Sequence, residues 1–571
     1  MLATFSSRPG NRRSAGGFVS AISSAKGRLP PNRISRWKGV FMITRRSILA
    51  FLLVVTPLLA CGCVGNRSYR RGDVYTKELP PSVDPIPASD TDCSRLRPYE
   101  CVQTRMGNGP QHFYLAHIEF DDMGELWSIG DLQNEKSATP SQIENALELI
   151  RRAQAEANRE KRELIVITFV HGWHNNASQY DEAHKNLGSF KALLQGLSSR
   201  NALDMPTPPV LVGIFLSWRG QSLAGDFAAT YWNRRDAATR VGGPSMTEVV
   251  TRLMFETKGV PLAPSPDSKC EPPIVQGKMM SHFAIIAHSF GARATEHALT
   301  QPMLSMIIER QMQASECAED WNKAHPKDQI TSVTFSAPAD LIVFLNAAND
   351  AFEAKETIEA LKRAQIKVTR KQTLNGRTVM VGTAAPFMIS ITSDGDWATE
   401  KIMPVAQFFS STALSFRQYD KNGCKEEGQL CGNHSQSYYY RHSEASIKEM
   451  RSHRVVLESS AASCKEDNWP YFWVDSTKQC FCIEHNTTEA EPGGKCTEDK
   501  PADRKARFGV DTVWNDTPFY VIGVPRTLIR DHNDIFRDGT EELLIAISSH
   551  YETFNVKYGV TTMTSPIAAK P

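Results

Sequence analysis

The sequence predicts an α/β fold, with a mostly parallel central sheet and helices on both faces. Three observations carry this expectation. From Leu164 onward, short apolar runs alternate with longer helical stretches in the order βαβαβα. The runs, such as LIVITFV and HFAIIAH, are continuous and β-branched rather than alternating, as in strands covered on both sides. With 571 residues, 41% of them hydrophobic, the chain is long enough to bury a large core and still carry accessory segments.

In chain order, HFYLAHIEFDD and ELWSIGDL read as two strands joined by a turn around Met123-Gly124. A helix follows from about Ser141, a suitable N-cap, to Glu160, with Ile143, Ala146, Leu147 and Ile150 on one face. Then come strand LIVITFV, a helix near Tyr180 to Leu197, strand PVLVGIFLSW, a helical stretch to about Lys258, strand HFAIIAH and a helix from Ala292. Later elements are strand ITSVTFSAP, a helix over Asn349 to Ala364, strand FMISITS, a helix after Trp397, strand FYVIGVP and a closing helix over Glu541 to Phe554. These place the core in two parts, 111–418 and 508–558, followed by a tail, 559–571. The interruption, 419–507, carries six cysteines and the aromatic run Trp469 to Trp473, and is expected to be a disulfide-rich insertion. Its aromatics could form the small core of a stapled module, or cover a site or touch lipid.

The N-terminal region has a different logic. Met42 to Arg46 precede the apolar run Ile48 to Ala60 and then Cys61, the layout of a signal peptide over 42–61. The run is shorter than the roughly 20 residues that span a bilayer comfortably. Its ending, Leu58-Leu59-Ala60-Cys61, resembles the lipobox of bacterial lipoproteins. That resemblance implies lipidation of Cys61 and a membrane-anchored protein of the bacterial cell envelope, facing the periplasm or the exterior. An uncleaved anchor helix would leave the rest of the chain on the same side. Residues 1–41, basic and rich in Ser, Gly and Arg, are expected to be a disordered leader or a mis-assigned start, and the polar, proline-rich 62–110 a tether.

Of 12 cysteines, Cys93 lies near Cys101, Cys424 near Cys431, and Cys480 and Cys482 near Cys496, which suits an oxidising compartment. With Cys61 spent on the anchor, an odd number remains, and Cys63 is the candidate unpaired thiol. The spacing of Cys480, Cys482 and Cys496 fits no common structural zinc site. A formal net charge of +2 makes no electrostatic case for nucleic acid. No phosphate-cradling loop, dinucleotide fingerprint or clear metal cluster appears, so neither cofactor nor metal is expected.

Strand HFAIIAH runs straight into Ser289, and the residues after it read as helix, so Ser289 occupies a sharp strand-to-helix turn. Such a turn needs small neighbours two residues away on each side, here Ala287 and Gly291. The pentapeptide AHSFG is unspecific alone; its position gives it weight. Two strands earlier, ITFV ends in His171-Gly172-Trp173-His174-Asn175-Asn176, where a glycine turn can aim backbone N–H groups at a substrate oxygen or can be an ordinary strand end. His171 and His174, three apart in a loop, lack zinc-helix geometry.

Together, HGWHNN, FLSWRG and AHSFG resemble the α/β-hydrolase superfamily, specifically a bacterial group with a HG[FW]xN-type loop and a small-x-Ser-x-Gly elbow. The resemblance spans about His112 to Phe554, apart from the cysteine-rich segment. It implies Ser289 as nucleophile, backbone N–H groups of Trp173 and Phe290 as oxyanion-hole donors, Asp396 as the acid and His532 as the base. Asp394 is the main rival acid and Asp340 a remoter one; His442 and His453 would need the insertion to fold back. The expected activity is hydrolysis of a small-molecule or lipid carboxylic ester through an acyl-serine intermediate. Thioesterase, amidase or acyltransferase chemistry would use the same residues. The alternative is a non-catalytic, lipid-anchored envelope protein that binds partners on a hydrolase fold.

Overall fold

In the computed structural model, the described residues fall mainly within 68–70, 103–106, 112–127, 142–178, 185–199, 208–222, 230–259, 281–328, 332–335, 337–364, 386–412, 436–447, 450–458, 471–474, 479–485, 517–536 and 539–544. They all lie in one compact unit, Cys61–Pro571. The first strands are β1 (Gln103–Met106), β2 (Phe113–Phe120), β3 (Leu164–Val170), β4 (Val210–Trp218), β5 (Ser281–His288), β6 (Ser332–Phe335) and β7 (Leu341–Leu345). After them come β8 (Thr373–Leu374), β9 (Arg377–Thr378), β10 (Met380–Thr383), β11 (Met388–Ser393), β12 (His453–Glu458), β13 (Tyr471–Val474), β14 (Gln479–His485) and β15 (Phe519–Val524). The helices are α1 (Gln142–Glu160), α2 (Asn186–Ser199), α3 (Tyr231–Val241), α4 (Pro244–Lys258), α5 (Phe290–Ala324), α6 (Ala351–Arg363), α7 (Met403–Ser410) and α8 (Gln436–Arg441).

The main sheet has the order β1-β2-β4-β3-β5-β7-β11-β15-β12-β14-β13. Its eight central strands, β2 through β12 in that order, are all parallel. Antiparallel β1 extends one edge, and antiparallel β14 and β13 extend the other. The register brings strand ends level: Val170 lies beside Ala287, His288 beside Leu345, and Ser393 beside Val524. Loops leaving β3, β5, β7, β11 and β15 therefore start from one edge, where open α/β sheets place their ligands.

Alternation along each strand splits the core into two layers. Val210, Val212, Ile214, Leu216 and Trp218 face a layer packed by α1, α3, α4, α5 and α6. Leu211 and Phe215 face the other layer, filled by Leu187, Phe190, Leu193 and Leu194 of α2 and by Leu543, Leu544 and Ile547. Helices on both faces follow from strands with two apolar faces. Phe344, fully buried in the middle of the sheet, is expected to cost about 3–5 kcal/mol when replaced by alanine, measured by urea unfolding.

Several sequence expectations are corrected. ITSVTFSAP does not enter the main sheet: β6 pairs with β10 in a separate two-stranded sheet, and the five-residue run LIVFL of β7 takes the place beside β5. ELWSIGDL does not form a full hairpin strand within the described residues; Leu126 makes a single bridge to Phe120, and 128–132 lie outside them. The helix expected near Tyr180 begins at Asn186, and the stretch to Lys258 is two helices broken at Gly242-Gly243. Of the closing helix, 539–544 and 546–547 are helical, and 548–554 fall outside the described residues. Part of the cysteine-rich segment belongs to the main sheet, because β12 continues the parallel series and β14 and β13 follow it. The tether is also interrupted: the backbone N–H groups of Tyr69 and Arg70 donate to Glu119, and Arg70 Nε donates to the Ala177 carbonyl. The signal segment, Cys61 and Cys63 lie outside the described residues, as do Cys93, Cys101, Cys424, Cys431 and Cys496. Cys317 of α5 is disulfide-bonded. Among the described residues, no helix is long and apolar enough to cross a membrane.

Candidate active site

Ser289 stands between the last residue of β5 and the first residue of α5. Its backbone has φ 54° and ψ −121°, a conformation that a side chain adopts at a cost of order 1–3 kcal/mol and that neighbours must enforce. Four bonds enforce it: Ser289 N–H donates to Leu345 O, while Ser289 O accepts from the N–H groups of Ala292, Arg293 and Ala348. Gly291 matters for packing. A Cβ there would lie 2.4 Å from the Val170 carbonyl oxygen and 2.5 Å from that of His171, so only glycine lets α5 start against the end of β3.

The three residues expected to form the catalytic set are brought together. Ser289 Oγ is 2.8 Å from His532 Nε2, and His532 Nδ1 is 2.9 Å from Asp396 Oδ1. The other end of the carboxylate accepts the Thr399 hydroxyl at 2.7 Å, and Oδ1 also accepts the N–H groups of Ala398 and Thr399. Burial would raise the Asp396 pKa, but the imidazole and the Thr399 donors outweigh it and hold the carboxyl below its usual range. Burial acts on His532 in the opposite sense, lowering its pKa. The Asp396 charge and hydrogen bond prevail, and the imidazole ends above its ordinary value.

The His532 loop is fixed from beneath. The Asn346 amide donates to the carbonyls of Asp531 and His532, and His288 Nε2 contacts the same His532 carbonyl at 2.9 Å. Asn346, the residue after β7, has φ 44° and also accepts the Ser393 N–H, which ties the turn that carries Asp396 to the loop that carries His532. Burial is the main cause that lowers the His288 pKa to about 3, with the His532 ring adding to it. His288 is therefore neutral at pH 7, and a neutral ring donating through Nε2 holds the carbonyl without placing a second charge beside His532. Below the site, Asp350 accepts from Arg235, Arg293 and Gln407, joining α3, α5, α6 and α7.

The HGW loop lies against Ser289. A Cβ on Gly172 would fall 2.7 Å from Ser289 Cβ and 2.9 Å from His288 Nδ1. Neither the Trp173 N–H nor the Phe290 N–H has a hydrogen-bond partner among the described residues. FLSWRG supports this loop: Trp218 N–H donates to His171 Nε2, the Trp218 indole donates to His171 O, and Gly220 exchanges backbone bonds with His174 and Asn175. Burial takes the His171 pKa down to about 4, so its ring is neutral, with Nε2 accepting from Trp218 and Nδ1 2.9 Å from the Gly172 carbonyl. Gly172→Ala must move the loop or Ser289. A misplacement of about 1 Å can cost about 100-fold, and at least that loss in kcat for a soluble ester is the expected result.

The rivals are placed elsewhere. Asp394 points outward and pairs with Arg451 at 2.8 Å. Asp340 lies before β7, at the opposite edge, bound to Lys258 and to the Phe283 N–H. His442 Nδ1 bonds the Tyr438 carbonyl, and His453 Nδ1 bonds Ser452 Oγ. Sequence reasoning did not find His288 and Asn346. His288 carried a signal, a polar ring at the end of a buried strand next to Ser289; Asn346 carried only its place after LIVFL. Among the described residues, no group of three or more His, Cys, Asp or Glu side chains is placed to hold a metal ion. No family model, no curated protein and no solved structure matches the chain, so what is established of its class is an α/β fold with a mostly parallel sheet.

Proposed function

We propose that this protein is a serine hydrolase of the α/β-hydrolase type that cleaves carboxylic esters through an acyl-Ser289 intermediate. The observation that carries the reading is the continuous chain from Ser289 Oγ to His532 and on to Asp396 at 2.8 and 2.9 Å. In the first step Oγ adds to the ester carbonyl carbon as His532 Nε2 takes its proton. The carbonyl oxygen becomes an oxyanion, and the Trp173 and Phe290 N–H groups are its donors. The tetrahedral carbon then expels the alkoxide, which takes the proton back from Nε2 and leaves as the alcohol. Water, giving a proton to the same nitrogen, attacks the acyl-enzyme; collapse returns that proton to Ser289 and releases the acid. Asp396 keeps Nδ1 protonated and stabilises the imidazolium without leaving its carboxylate form. The protein works from a bacterial envelope membrane, held by a lipid on Cys61 or by the apolar segment before it.

The test is turnover of p-nitrophenyl acetate, with an acid quench to trap the intermediate. The expected result is an acetyl group on the Ser289 peptide that is absent in Ser289→Ala. Turnover undiminished in that variant contradicts the proposal.

A further inference from the structure

The described residues carry ten exposed large hydrophobics; five of them, Trp397, Val405, Phe408, Phe409 and Leu414, fall within the one segment 397–414, and a sixth, Trp232, is bonded to it through its indole. Such clustering, unlike singly scattered apolar residues, marks a contact surface. Trp397 follows Asp396 directly and is 56% exposed, while Phe409 is 61% exposed. α7 buries Met403, Ala406 and Gln407 and turns the apolar Val405, Phe408 and Phe409 outward. It lies along the catalytic edge of the sheet. Gln407 donates to Asp350 just past β7, and Ala406 O accepts from the Trp232 indole. The neighbouring Tyr231 packs on Phe290 and Trp173.

A second observation concerns the chain that leads to this edge. Ser68, Tyr69 and Arg70 are docked on Glu119, at the C-terminal end of β2, and Arg70 reaches the Ala177 carbonyl in the stretch that follows β3. Both attachments lie on the edge that holds Ser289, Asp396 and His532. Ser68 is seven residues from Cys61, and seven residues of extended chain reach at most about 25 Å. Whether a lipid on Cys61 or the apolar run ending at Ala60 enters the bilayer, the catalytic edge is tethered within that distance of it. Arg526 and Arg530, exposed beside Gly395 and without an ion pair among the described residues, add positive charge near the patch, suited to anionic headgroups.

We infer that the catalytic edge faces a lipid bilayer, with α7 and Trp397 lying against it, and that the ester hydrolysed is an acyl lipid drawn from that bilayer. The orientation stands on the docked segment and the patch and rests on the proposed membrane anchor at or before Cys61. The substrate class rests in addition on the serine-hydrolase reading.

The full chain, reconstituted in phosphatidylethanolamine and phosphatidylglycerol nanodiscs with brominated acyl chains, tests the orientation through tryptophan quenching. Wild type is expected to lose more fluorescence than Trp397→Phe, and the Phe408→Asp, Phe409→Asp double variant to lose that difference. Equal quenching of wild type and Trp397→Phe overturns the orientation. So does hydrogen-exchange protection of residues 403–410 that is as strong in lipid-free protein as in nanodiscs, because another part of the chain then covers the face. For the substrate class, the double variant is expected to hydrolyse vesicle-borne acyl ester at least tenfold more slowly, with soluble ester turnover within twofold of wild type; equal rates on vesicles overturn it. If wild type hydrolyses neither substrate while the quenching difference persists, the hydrolase reading fails and the orientation stands.

Discussion

Ser289→Ala is expected to lower kcat for a short soluble ester by about 10⁶-fold, the scale on which loss of a serine nucleophile acts when its base and oxyanion donors remain. The size follows from the geometry. His532 Nε2 has one partner aimed at substrate, the hydroxyl at 2.8 Å, and without it no acyl bond can form. What survives is water attack assisted by the Trp173 and Phe290 N–H groups, which alone retain about 10³–10⁴-fold over the uncatalysed rate. Because Ser289 N–H and O keep their bonds to Leu345, Ala292 and Ala348, the fold should persist, and circular dichroism of the variant should match wild type. A loss under tenfold would place the chemistry on another residue.

Asp396→Asn is expected to lower kcat by about 10⁴-fold, because the amide favours the wrong tautomer of His532 and removes the charge that stabilises its protonated form. A pH shift should accompany the loss. In wild type the imidazole pKa is raised and catalysis needs the neutral ring, so activity falls with decreasing pH through a midpoint above the ordinary histidine value, about 6.5. Without the carboxylate, burial dominates and pushes the imidazole pKa down, so the acid limb should move to lower pH. Asp394→Asn is the control. Its carboxylate sits in an exposed pair with Arg451, of a kind that contributes about 0–1 kcal/mol, and activity should stay within about twofold. Profiles of kcat/KM against pH for the three proteins decide between the two acids.

How much of this was legible in the sequence depended on how local each signal was. The turn that carries Ser289 was visible because strand, turn and helix are contiguous around it, and the small residues Ala287 and Gly291 are part of the same local geometry. Asp396 and His532 were visible through their positions after FMISITS and FYVIGVP, on strands whose parallel register then brought them together. β7 was missed because LIVFL follows ITSVTFSAP within a few residues, and both are short apolar runs; composition cannot say which one a sheet will take. β12, His453–Glu458, was hidden inside a cysteine-rich stretch whose composition suggested a separate module. His288, Asn346 and the docking of Ser68 to Arg70 depend on partners 47 to 244 positions away, which periodicity does not report.

The central claim is that Ser289 is activated by His532. The most direct measurement is mass-spectrometric mapping of a fluorophosphonate adduct on the purified chain, in wild type and in His532→Ala. The account predicts one phosphonyl group on the Ser289 peptide of wild type and at least 100-fold slower labelling in the variant. Well-folded wild type that takes up no probe, or an adduct that forms equally fast without His532, would contradict it.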